Sequence, residues 1–209
     1  MVVGILIIAG AIFLVSLSRS PSNSRFLPVN LTSAFNHKAI VIDGTSFGGG
    51  GFDNGIWAYS WNSLDAQNAM NLHGPMLTVG GIPYRFGAPN GNDAISSTTV
   101  TLPSGKFGAL NILAAAVNGD QTNQRFTVHY SDGSTQSFVQ SLSDWYTPGT
   151  FPGETIAATT AYRDGAGGGS GQGPFYMYTY SFALNSNKTV SSLTLPDNPD
   201  VVILAMTLR

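Results

Sequence analysis

A chain of 209 residues that is 43% hydrophobic, 11% aromatic and 10% charged can bury one sizeable core, and is too short for more than two small domains. Its charged share is less than half of the quarter usual for soluble domains. A net charge of −2 with no cluster of Lys or Arg excludes the basic surface that nucleic acid requires, and the lack of cysteine excludes disulfides, thiolate metal sites and cysteine nucleophiles.

The chain opens with "MVVGILIIAGAIFLVSL", which carries no charge from Met1 to Leu17. This is slightly short of the roughly 20 residues that span a bilayer as a helix, and it lacks the basic n-region of an ordinary signal peptide. "SLS" before Arg19 offers a small-residue cleavage site. Residues 1–18 are therefore expected to form a hydrophobic helix, either a cleaved export signal or a retained membrane or assembly helix. Export puts the protein outside the cell or at the cell surface. Residues 19–27 read as a polar linker and residues 28–209 as one β domain.

Within that domain "KAIVID" is a short buried strand, and "DAISSTTVTLP" is β-branched and ends at a proline. "FGALNILAAAVNG" fits a buried strand or a short helix; the turn cluster "VNGDQTN" after it favours the strand. "QRFTVHY", "SDGS" and "TQSFVQSLS" form a hairpin, with Phe126, Val128 and Tyr130 on one face and Asp132-Gly133 in the turn. "ETIAATTAYR" and "PFYMYTYSFAL" flank a glycine-rich segment, and "KTVSSLTLP" and "VVILAMTL" give a closing pair of strands. Eight to ten strands at this spacing predict an all-β fold, an antiparallel β-sandwich or jelly roll preceded by the N-terminal hydrophobic helix.

The stretch "FGGGGFDNGIWAYSWNSL", residues 47–64, sets four glycines beside two tryptophans and a tyrosine. Read as extended chain, it puts Trp57, Tyr59 and Trp61 on one face, with Ile56, Ala58 and Ser60 on the other. Trp145 and Tyr146 form a second aromatic cluster in "SDWYTPG", a loop by composition. Aromatic faces stack on the C–H face of a sugar while nearby polar groups fix its hydroxyls; the same aromatics also suit a sandwich core. The expected ligand-binding residues are Asp53, Asn54, Trp57, Tyr59, Trp61, Trp145 and Tyr146. Asp43, Asp53 and Asp93 sit in Gly/Asn-rich loops and are expected calcium ligands, although Asp also serves as a plain turn former.

Catalytic signals are weak. "GTSFG" matches G-x-S-x-G at Ser46, but glycines follow where a nucleophile elbow needs a helix. His37, His73 and His129 lack metal-ligand spacing. Glu154 is the single Glu, and no motif pairs two acids as glycoside hydrolysis requires. No catalytic residue is expected.

"FDNGIWAYSWNSL", "ILAAAVNGDQTNQRFTVHYSDGSTQSFVQSLSDWYTPG" and "NKTVSSLTLPDNPDVVILAMTL" together resemble a module appended to exported microbial glycoside hydrolases and serine-carboxyl peptidases. The module is similar to carbohydrate-binding modules with a galactose-binding-like jelly roll. The resemblance spans residues 28–209 and rests most on Phe52-Asp53 with Tyr59-Ser60, and on Ser143-Asp144-Trp145; it departs from the pattern in carrying no catalytic domain. It implies a non-catalytic, extracellular domain that binds neutral glycan or cell-surface polysaccharide. The rival expectation is a structural subunit of a surface layer or filament, anchored or assembled through residues 1–17.

Overall fold

Alternating apolar residues drive most of the chain into strands, and the computed structural model describes them over residues 26–68 and 75–209. In chain order the elements are β1 (Leu27–Pro28), β2 (Ile40–Val41), β3 (Trp57–Ser60), α1 (Trp61–Asn68), β4 (Met76–Val79), β5 (Ile82–Arg85) and β6 (Thr99–Lys106). There follow β7 (Ala109–Ala116), β8 (Gln121–Tyr130), β9 (Thr135–Leu142), β10 (Thr155–Gly165), β11 (Ser170–Ala183), β12 (Thr189–Thr194) and β13 (Val201–Leu208). The expected N-terminal helix lies outside the described residues, as do residues 19–25 of the linker. Leu27, placed at the end of that linker by the sequence, is already paired with Leu208. Among the described residues no helix is long and apolar enough to cross a membrane.

The strands form two packed sheets and a separate hairpin. The larger sheet runs β1-β13-β7-β11-β10-β3-β2 and the smaller β6-β12-β8-β9, with β4-β5 apart. Among the named strands every pairing is antiparallel except β2 with β3. The β8–β9 hairpin stands where the sequence puts it, and β10 and β11, on either side of the glycine-rich segment, pair antiparallel as well. "FGALNILAAAVNG" is the strand β7, held between β11 and β13.

One expectation is corrected. β12 and β13 follow each other in sequence but do not pair: β12 lies between β6 and β8, β13 between β1 and β7. Their burial explains the split. All eight residues of β13 are buried, whereas in β12 only Val190 and Leu193 are. A strand apolar on both sides needs cover on both faces. The smaller sheet covers one face of the larger; α1 packs on β10 and β3, and β5 on β13. Thr207 Oγ1 donates to the Pro83 carbonyl and ties that cover down.

Candidate functional site

The glycine-rich stretch folds back on itself. Asn54 and Gly55 have φ of 51° and 72°, and Ile56 N–H donates to the Asp53 carbonyl at 3.0 Å, so Asp53–Ile56 is a tight Asn-Gly hairpin turn. Gly51 is forced: a Cβ there would meet the Trp57 carbonyl oxygen at 2.7 Å and the Phe47 ring at 2.8 Å. The turn launches Trp57 into β3, the larger sheet's penultimate strand.

Only part of the expected aromatic face survives. Tyr59 is completely buried and its hydroxyl donates to the Tyr176 carbonyl at 2.5 Å. Trp145 is 1% exposed; its ring lies 4.9 Å from those of Phe52 and Tyr59 and 4.6 Å from Phe175. Both residues are core, Trp145 being held there by the backbone bonds of Ser143 and Trp145 to Ala116. Neither ring can stack on a ligand. Trp61 leaves the face altogether. The strand ends at Ser60, whose Oγ accepts the Ser63 N–H at 2.9 Å and caps α1, so Trp61 opens a helix and packs half-buried on the core. Tyr146 is 58% exposed and rests on Phe175 at 5.3 Å.

Arg163, which no sequence motif singled out, sits over this cluster. Its guanidinium carbon is 3.9 Å from the Trp57 ring centre, 4.9 Å from Phe175 and 5.6 Å from Trp145, an arrangement of cation–π contacts. Its Nη1 is 3.7 Å from Asp53 Oδ2, while Asn54 Nδ2 donates to Asp53 Oδ1 at 3.0 Å. Burial raises the Asp53 carboxyl, and the Trp145 indole N–H and Arg163 partly counter it. Asp53, Asn54, Trp57, Trp145 and Tyr146 thus converge on one aromatic–ionic cluster.

A groove of about 400 Å³ runs beside it, walled by Ile56 and Trp57 and by the glycine-rich backbone of 165–170. Ile56 is 52% exposed. The loop is held by Ala166 N–H donating to the Ile56 carbonyl at 2.8 Å and by Phe47 N–H and Ser46 Oγ donating to the Ala166 carbonyl, both at 3.0 Å. Ser46 therefore pins a loop, and no helix follows it. Ser170 also borders a second cleft, of about 290 Å³, lined by Asp43, Tyr162, Asp164 and Gln172.

The second cleft holds what the sequence did not show: a pair of acids. Ser60 Oγ donates to Asp43 Oδ1 at 2.5 Å and Tyr162 Oη to Asp43 Oδ2 at 2.6 Å. Asp164 is 2% exposed and its Oδ2 meets no donor. Burial, then the neighbouring Asp43, pushes the Asp164 carboxyl up to about 7. The three expected calcium ligands, by contrast, belong to three networks. Asp43 faces Asp164, Asp53 faces Arg163, and Asp93 is fully buried, accepting the N–H groups of Ala39 at 2.6 Å and Ile40 at 3.1 Å. Asp93 is a clamp on β2; burial pushes its carboxyl up to about 7 against those donors.

The other polar candidates are structural. His37 Nε2 bonds Ser96 Oγ at 2.7 Å and His129 Nε2 bonds Thr194 Oγ1 at 2.9 Å; His73 lies outside the described residues. Glu154 accepts from Ser143 N–H, Ser143 Oγ and Tyr180 Oη. Among the described residues no three or more His, Cys, Asp or Glu side chains group to hold a metal ion.

Two packed sheets with, among the described residues, one short helix define an all-β sandwich domain. The model of one such family, the AziU2-like beta-sandwich domain, matches residues 23–209, and the chain belongs to that family. No curated protein matches the chain.

Proposed function

We propose that the protein is an exported, non-catalytic recognition domain whose ligand is a neutral glycan, bound along the Ile56–Trp57 groove. The observation that carries this reading is the junction at Ser170 of an apolar wall with a polar cleft. A sugar ring presents an apolar C–H face and a rim of hydroxyls, and sites for it combine an apolar surface with a few fixed polar groups. Trp57 and Ile56 supply the surface. Tyr162, Ser170 and Gln172 supply the polar partners. The low charge of the chain suits an uncharged ligand, and the glycine-rich backbone of the 165–170 loop lets the ligand approach closely. Of the expected binding residues, Trp57 keeps its role, Asp53 and Asn54 position it through Arg163 and the hairpin turn, and Tyr146 extends the surface.

The test is equilibrium binding of the full chain to soluble neutral oligosaccharides. Ile56→Asp puts a charge on an exposed position of the wall and is expected to lower affinity about tenfold or more, or about 1.4 kcal/mol, with the melting temperature kept. Trp57→Ala is expected to lose binding as well, together with some stability through Arg163. Unchanged affinity in Ile56→Asp would remove the groove from the binding site.

A further inference from the structure

We propose that the cleft beside the glycan groove is a calcium site, with Asp43 and Asp164 as its carboxylate ligands. The proposal stands on the Asp43–Asp164 pair, which the glycan reading does not use, although both readings draw on Tyr162, Ser170 and Gln172.

Asp43 reaches the cleft from the loop after β2, and Asp164 from the end of β10. β3 holds these segments together, pairing β2 on one side and β10 on the other, with Ala58 opposite Asp164. Two carboxyl groups brought this close either share a proton or are met by a cation. Among the described residues the ion pairs are Arg163 with Asp53 and Lys188 with Asp132, so neither acid has one. Arg163 adjoins Asp164 in sequence, but alternation along β10 sends its side chain to the other face, onto Trp57. Asp164, 2% exposed, lines the cleft, and its buried Oδ2 lacks any donor. An orphaned, buried carboxylate oxygen of this kind calls for a ligand.

The remaining lining fits a hard cation. Tyr162, Ser170 and Gln172 bring side-chain oxygens. The Gly44 carbonyl lies against Gly168, 3.3 Å from where a Cβ would stand, so it reaches the cleft edge. The described lining carries no imidazole or thiolate, and oxygen-only donor sets select calcium or magnesium. A cleft of about 290 Å³ leaves room for water ligands and a loose coordination sphere, which favours calcium over compact, octahedral magnesium. Of the three aspartates expected from sequence, only Asp43 takes part.

Titration calorimetry of the full chain, stripped with chelator and titrated with calcium chloride at mildly alkaline pH, tests this. The expected result is one ion per chain with a dissociation constant on the order of 10⁻⁴–10⁻³ M, as in extracellular modules, and a calcium-dependent rise in melting temperature. Asp164→Asn and Asp43→Asn are expected to abolish both, while Asp53→Asn keeps them. Asp43→Asn also weakens the bonds to Ser60 and Tyr162, so if it does not fold, the near-isosteric Asp164→Asn decides. No saturable heat and no thermal shift in the wild type would overturn the proposal and leave a carboxyl pair sharing a proton. Binding that persists in Asp164→Asn would overturn it as well, by placing the ion elsewhere.

Discussion

Trp145 and Tyr146, neighbours in sequence, divide between core and surface. The Trp145 ring is enclosed by Phe52, Tyr59 and Phe175, while Tyr146 lays one face on Phe175 and shows the rest to solvent. Trp145→Ala should therefore cost about 3–5 kcal/mol in urea denaturation, and Tyr146→Ala about 0.5 kcal/mol or less. Equal costs would contradict this division. Asp164 makes a second residue-scale claim. Its carboxyl, raised to about 7 in the fold from an ordinary 3.8, favours the protonated state. That contribution to stability is fully present below the unfolded value and is lost as pH rises through the folded one. In metal-free buffer the melting temperature should thus fall between about pH 4 and 7. Asp164→Asn should flatten the fall, because an amide N–H can donate to Asp43 as the protonated acid does. Asp93, raised for the same reason of burial, contributes in the same direction, so some slope should remain.

At the scale of elements, Ser60 joins three parts of the molecule. It ends β3, caps α1 through the Ser63 N–H, and donates to Asp43. Ser60→Ala should lose about 1 kcal/mol for the cap and about 1–3 kcal/mol for the Asp43 oxygen left without its donor. Ser60→Thr should recover the cap in the same thermal melts. This helix start was the main local feature hidden in the sequence. Three aromatics at alternate positions read as a strand, and an eight-residue helix with two buried residues is too short to impose a period of its own. Two glycine turns were legible but unread: Asn54-Gly55, and Gly80-Gly81 between β4 and β5, both at positive φ. The long hairpins declared themselves because period-two alternation and Asp132-Gly133 agree. β12 and β13 misled because the short "DNPD" link suggests a hairpin, whereas burial on both faces sends β13 into the larger sheet, between β1 and β7.

For the whole molecule, composition and strand spacing led to the sandwich, and the family match over residues 23–209 agrees. The site was less legible. Arg163 and Asp164 lie far along the chain from Trp57 and Asp43, and only the β3–β10 pairing brings them together, a contact that local pattern does not encode. The described domain builds its core from β1 onward, with Val29 N–H bonded to the Met206 carbonyl at 2.9 Å. Residues 26–209 alone should accordingly give a soluble protein with a β-type circular dichroism spectrum. An insoluble or unfolded product would make residues 1–25 part of the fold and favour the surface-subunit reading. The central claim is recognition of neutral glycan at the Ile56–Trp57 groove. Its most direct test is a glycan array probed with the full chain and with Ile56→Asp side by side, in calcium and in chelator. The account predicts binding of neutral glycans by the wild type and its loss in the variant; an array on which the wild type binds nothing in either buffer would contradict it.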